Sequence, residues 1–144
     1  MNSNDTIELL KECDSGSKMA VSSIDEVLDK VSDEKFKIML VDFKDKHSKL
    51  GNEIHGLLLS YNEQDKEPNP VAKSMSWIKT NIIMSMKESD KTVADLITDG
   101  CNMGVKSLNR YLNQYSTADE KSRQICNELI SIEDKFAKDI RCYL

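Results

Sequence analysis

The chain has 144 residues, 39% hydrophobic and 31% charged, with 5 glycines, 2 prolines and a formal net charge of −5. That length can bury a real core, the balance suits a mostly helical domain with polar outer faces, and no alternating apolar run between turn signals predicts a strand. Acidic residues interleave with the basic runs, such as Lys35-Phe36-Lys37, so no field exists to displace counterions from phosphates and nucleic acid is not expected as a partner. No apolar run approaches the roughly 20 residues of a bilayer span, so a membrane is not expected either. The opening Met1-Asn2-Ser3-Asn4-Asp5-Thr6 is polar and argues against a secretory leader.

In chain order, apolar spacing by three and four predicts a first helix from about Thr6 to Val31. Its buried stripe is Leu10, Cys13, Ser17, Ala20/Val21, Ile24, Val27/Leu28 and Val31. Ser32 is placed to cap a second helix, with Asp33 and Glu34 favourable to the first-turn dipole. That helix carries Phe36, Met39/Leu40, Phe43, His47, Leu50, Ile54, Leu57/Leu58 and Tyr61 on one face. The run Asn-Glu-Gln-Asp-Lys-Glu-Pro-Asn-Pro up to Pro70 reads as a loop. Val71 to about Glu88 then reads as a crossover helix of broad apolar surface. Met75, Trp77, Met84 and Met86 on it exceed what one packing face needs and mark an expected homodimer contact. A third helix is predicted from about Lys91 to Tyr115, with Val93, Ile97, Gly100/Cys101, Gly104, Leu108 and Tyr111/Leu112 inward. Thr117-Ala118-Asp119-Glu120 reads as a capping box, opening a fourth helix that buries Ile125, Leu129, Ile132/Glu133, Phe136, Ile140 and Tyr143.

The two helical pairs repeat each other. The run Ser17 to Leu28 lies over Cys101 to Leu112, with Met19/Met103, Val21/Val105, Ser23/Ser107 and Leu28/Leu112 identical, and Asp33-Glu34-Lys35 recurs as Asp119-Glu120-Lys121. A hairpin written twice with a long connection predicts an all-α four-helix bundle with a crossover. The whole chain is expected to form one domain: a first hairpin over about 6–61, the loop and crossover over about 62–88, and a second hairpin over about 90–144. Both antiparallel helices of a hairpin rise at the same rate per residue, so positions equidistant from the turn share a height. Ser17 then faces His47, and Cys101 faces Glu133. The repeat superposes the same pairs, which puts Ser17, His47, Cys101 and Glu133 in one polar core layer.

Three soft motifs carry a resemblance: Leu-Leu-Lys-Glu-Cys-Asp-Ser-Gly beginning at Leu9, Ser76-Trp77-Ile78-Lys79, and Asp-Gly-x-x-Met-Gly from Asp99 to Gly104. With the duplicated hairpin, they make the chain resemble the ferritin-like superfamily of rubrerythrins and ferritins. Over its whole length it is similar to a bacterial ferritin-like family of unknown function. The resemblance implies the ferritin-like bundle, but its di-iron members use a Glu from each of two helices plus Glu-x-x-His from each of the other two. Here the residue three before His47 is Lys44, the residue three after Glu133 is Phe136, and the other two helices offer Ser17 and Cys101. The di-iron ligand set is not intact.

Two readings of the layer remain. His47, Glu133 and Cys101 resemble a mixed nitrogen, oxygen and sulfur donor set for one zinc or iron ion. Alternatively, His47 and Glu133 share a hydrogen bond closed by Ser17, as buried polar groups require. The second reading is preferred, with no cofactor. His55 reads as surface. Asp95, Asp99, Asp14 and Glu12 read as solvated charges near the outer ends of the first and third helices.

Cys13, Cys101, Cys126 and Cys142 show no Cys-x-x-Cys or zinc-finger spacing. They read as free thiols packed as small hydrophobes in a reducing, cytoplasmic setting; the alternative, a redox pair of Cys13 with the third helix near Ile97 and Cys101, is less favoured because no local charge obviously lowers a thiol. No phosphate loop or nucleophile elbow appears. The function expected is a non-catalytic interaction or stress-related protein; the alternative is a metalloprotein with a mononuclear or degenerate core site.

Overall fold

Three helix starts are held by a side chain that accepts a backbone N–H of its own first turn, satisfying donors that the helix leaves unpaired. Asp33 accepts from Phe36 at 2.8 Å, Ser89 from Thr92 at 3.2 Å and Asp119 from Ser122 at 2.8 Å. The computed structural model of the chain describes residues 4–61, 63 and 89–144. It comprises α1 (Asn4–Val27, followed by a 3-10 turn at Leu28–Lys30), α2 (Glu34–Ser60), α3 (Asp90–Gln114) and α4 (Glu120–Asp139, closed by a 3-10 turn at Ile140–Tyr143). The all-α four-helix architecture expected from the repeat is what forms, with no strand among the described residues. The crossover helix, with Met75, Trp77, Met84 and Met86, lies outside the described residues.

Two caps differ from expectation. Asp33 and Asp119 start α2 and α4, rather than Ser32 and Thr117. The reason is tertiary, because both expected caps are engaged by the other hairpin. Asp90 accepts the backbone N–H groups of Ser32 and Asp33 at 2.8 and 2.9 Å. Asp5 accepts the backbone N–H and the hydroxyl of Thr117 at 3.0 and 2.6 Å, while the Thr6 hydroxyl accepts the Asp119 N–H at 2.8 Å. The first turn of each hairpin thus ties down the turn of the other. Asp33 and Asp119, superposed in the repeat, receive the same kind of contact.

Two apolar clusters fill the bundle. One joins the end of α1 (Ile24, Val27), the start of α2 (Phe36, Leu40), the start of α3 (Val93, Ile97) and the end of α4 (Phe136, Ile140). The other joins the start of α1 (Leu9, Leu10), the end of α2 (Ile54, Leu58), the end of α3 (Leu108, Leu112) and the start of α4 (Ile125, Leu129). Full burial of one such aliphatic or aromatic side chain contributes about 1.5–3 kcal/mol. Their composition sets the directions: α1 runs antiparallel to α2 and α3 and parallel to α4. The end of α2 and the start of α3 therefore lie at opposite ends of the bundle, the arrangement that a crossover connection serves. The amphipathic faces of α3 and α4 are the sharper ones, though α3 also buries Ala94 and Leu96 beyond the predicted stripe.

Candidate functional site: a polar layer between two apolar clusters

The polar groups of the core gather where the two clusters meet. His47 and Ser17 are 1% and 2% exposed, Cys101 2% and Glu133 9%. His47 reaches this depth because it sits on the same face of α2 as Phe43 and Leu50. Glu133 occupies the corresponding inward face of α4, between Leu129 and Phe136.

The His47 ring is committed at both nitrogens. Nδ1 lies 3.0 Å from the Phe43 carbonyl oxygen, which can only accept, so Nδ1 carries a proton. Nε2 lies 3.0 Å from Glu133 Oε1. One proton is therefore shared between Nε2 and the carboxyl group, as an imidazolium–carboxylate pair or as a neutral pair. Phe43 meets the His47 ring edge-on at 4.2 Å between centroids and stacks on Phe136 at 3.9 Å. The space one turn from the His47–Glu133 pair is thus filled by aromatic rings.

Cys101 approaches the same carboxyl group from α3. Burial pushes its thiol far above the ordinary range, and the neighbouring Glu133 charge and a hydrogen bond to that side chain push it further. Cys101 is a protonated donor, not a thiolate. Gly104, one turn on, makes the room: a Cβ there would lie 3.4 Å from Glu133 Cδ and 3.5 Å from Oε1. The two glycines of Gly100-Cys101-Asn102-Met103-Gly104 therefore differ, since nothing lies within 4 Å of a Cβ at Gly100.

Ser17 does not close the His47–Glu133 bond. Its hydroxyl donates to the Asp14 carbonyl oxygen at 3.0 Å, the back-bond that serine makes inside helices. It packs instead against Gly51, where a Cβ would come within 3.1 Å of Ser17 Oγ. The structure thus brings His47, Glu133 and Cys101 together and leaves Ser17 about one turn to the side.

Other expectations change at the same depth. Asp14 is buried at 1% exposure and ion-paired to Lys18 at 3.0 Å, so it belongs to no surface cluster with Asp95 and Asp99, which are exposed. The antiparallel course of α1 and α3 also separates the outer ends of these helices. Cys13 does not approach Ile97 and Cys101, which belong to the opposite cluster. It shares the other cluster with Cys126 of α4, because α1 runs alongside α4 in the same direction. His55 is exposed, as expected.

The di-iron pattern does not fit. Lys44 leaves the core to pair with Asp25 of α1, Phe136 is stacked on Phe43, and the positions on α1 and α3 hold Ser17 and Cys101. Among the described residues, no group of three His, Cys, Asp or Glu side chains is disposed to hold a metal ion.

Helix directions, the two mutually clasped hairpins and the bundle-long separation of α2 from α3 define a ferritin-like four-helix fold. The solved structure of Dps92 from Deinococcus radiodurans is similar to this chain, with a TM-score of 0.73 at 12% identity over 97% of this chain and 86% of that one. At that identity the likeness establishes the fold alone. No family model and no curated protein matches the chain. Among the described residues, no helix is long and apolar enough to cross a membrane.

Proposed function

We propose that this chain is a non-catalytic ferritin-like bundle that works as an interaction or stress-related protein, its central polar layer holding the helices in register. The observation that carries this reading is the double commitment of His47, with Nδ1 on Phe43 and Nε2 on Glu133. A metal ligand needs a free nitrogen lone pair, and a cysteine ligand needs a thiolate. Here both ring nitrogens of His47 already have protein partners. A single buried polar contact can specify register among packed helices at some cost in stability.

The reading includes one domain over residues 1–144, a reducing cytoplasmic setting that suits four free thiols, and membership of a bacterial ferritin-like family of unknown function, supported by the soft motifs and the fold. It also includes self-association through the crossover segment, whose sequence carries Met75, Trp77, Met84 and Met86.

Metal analysis of freshly purified protein, with His47→Ala as control, tests the layer. Metal well below one per chain in both proteins is the expected result. One zinc or iron per chain, lost in His47→Ala, overturns the reading and establishes the mononuclear alternative at His47, Glu133 and Cys101. Light scattering at micromolar concentration tests the partner. A dimeric mass that falls to monomeric in Trp77→Ala is expected, and a monomeric mass in the unaltered chain removes self-association.

A further inference from the structure

A groove of about 210 Å³ opens between α2 and α4. Its floor is apolar. Phe43 stacks on Phe136 at 3.9 Å between ring centroids, and Met39 and Ile132, both partly buried against the same cluster, flank the rings. Four exposed charges form its rim, Asp42 and Lys46 from α2 and Lys135 and Asp139 from α4. Elsewhere an ion pair crosses between these two helices, from Lys121 to Glu53 at 2.7 Å. The rim charges pair along their own helices instead, Lys46 with Asp42 at 3.1 Å and Lys135 with Asp139 at 2.7 Å, so neither pair bridges the groove.

The register of the two helices sorts these charges by sign. His47 meets Glu133 and Phe43 meets Phe136, which fixes the height of α2 against antiparallel α4. Both helices rise equally per residue, so Lys46 stands level with Lys135 and, one turn away, Asp42 stands level with Asp139. One end of the groove therefore carries two ammonium groups and the other two carboxylates, about 6 Å apart along the helix axes. Asp139 and, more weakly, Asp42 raise the Lys135 ammonium group, so charge is felt across the groove as well as along α4. Exposed ion pairs within one helix contribute little to stability. A ligand that carries both charges can exchange with them at small cost.

We infer that the groove binds a short zwitterionic peptide, two residues long with apolar side chains. Its carboxylate lies at Lys46 and Lys135, its ammonium group at Asp42 and Asp139, and an apolar side chain rests against Met39 and Ile132. The length follows from the spacing of the charges. Two extended residues span about 7 Å, whereas a single amino acid carries both charges on one carbon and reaches one end only. The same charge pattern would match a second copy turned end for end, but two concave surfaces cannot press their floors together. The volume also falls below that of sites for drug-sized ligands, which suits an occupant as small as a dipeptide. The inference does not depend on the role of the polar layer.

Titration calorimetry of the full chain with leucyl-phenylalanine, alongside methyl NMR of Met39 and Ile132, tests the site. Saturable binding that shifts both methyl signals is expected. N-acetyl-leucyl-phenylalanine and leucyl-phenylalanine amide should each bind about fivefold more weakly, and free phenylalanine more weakly still. Lys46→Gln with Lys135→Gln should weaken the free dipeptide to the level of its amide and leave the amide unaffected. Asp42→Asn with Asp139→Asn should do the same with respect to the acetylated form. All four side chains are exposed, so both variants should keep the helical circular dichroism of the parent. The inference is overturned if the unaltered chain shows no saturable binding, if the methyl signals stay in place, or if the blocked peptides and phenylalanine bind as well as the free dipeptide. A dimeric mass in light scattering that is lost in either charge variant, with no dipeptide bound by the unaltered chain, assigns the groove to a second copy and overturns it too.

Discussion

Cys101 and Cys126 are both buried cysteines on inward helix faces, yet their neighbours drive them in opposite directions. Cys101 faces the Glu133 carboxyl group, so burial and negative charge lock its proton in place. Cys126 faces a second thiol and lies within reach of Arg123, so its proton is easier to lose despite burial. Burial alone does not decide the chemistry of a core thiol; the hydrogen bonds and charges beside it add to burial or oppose it. The same contrast separates the two regions. The layer around His47 is closed, each polar group bound to another, whereas Cys13 and Cys126 are buried among apolar side chains.

Breaking the closed layer should have the largest effect. His47→Ala removes the partner that shares a proton with Glu133 and leaves that carboxyl group buried, which should lower unfolding stability by about 3 kcal/mol. His47→Leu combined with Glu133→Leu should recover most of the loss, because apolar replacement of a whole buried pair is often neutral or stabilising. Urea denaturation of both proteins decides it. A His47→Ala cost below about 1 kcal/mol would mean that the layer is not closed on this pair.

Glycine substitutions sharpen the comparison on a smaller scale. Nothing lies within 4 Å of a Cβ at Gly16, Gly56 or Gly100, so alanine at each should stabilise its helix by roughly 0.5–1 kcal/mol. Gly51→Ala should gain less than these, because Ser17 Oγ stands 3.1 Å from the new methyl. Adding Ser17→Ala should restore the gain. Equal thermal shifts at Gly51 and Gly56 would show that Ser17 does not press on α2.

The smallest expected effect lies at the hairpin clasp and depends on pH. The Thr117 hydroxyl and backbone N–H hold the Asp5 carboxyl below its ordinary value of 3.8. A carboxyl group lowered on folding contributes its stability fully above that ordinary value and loses it as pH falls through the folded value. Asp5→Asn should therefore show its full, small cost near neutrality, and the difference between the two proteins should close as pH falls below about 4, leaving the variant with a flatter acid limb. Denaturant midpoints measured across that range in both proteins check the sign. An unchanged acid limb would place the clasp elsewhere.

The stripes on α2 and α4 were legible without coordinates, since Phe36, Leu40, Phe43, His47, Leu50 and Ile125, Leu129, Glu133, Phe136 recur at helical spacing and all are buried. Hairpin heights also brought His47, Glu133 and Cys101 to one level. Ser17 was misassigned because height does not fix the direction of a short side chain, and its hydroxyl found a carbonyl on its own helix. Asp14 looked like an ordinary surface charge, and only packing shows that it is buried with Lys18 over it. The placing of Cys13 in the cluster of Cys126 rather than that of Cys101 is not legible in the sequence, because pairing within hairpins says nothing about α1 against α4; it needs the helix directions that a bundle-long connection imposes.

By itself, then, the amino-acid sequence determined which faces of the helices are apolar, and that Ser17, Lys44, Cys101 and Phe136 stand where the di-iron pattern needs other residues, because periodicity and residue identity are local properties. Tertiary structure decided which caps hold, since Asp5 and Asp90 engage the competing groups across the bundle. It also decided which apolar cluster each buried thiol joins. Those outcomes depend on how four helices are directed and packed together, a relation that no single stretch of the chain contains.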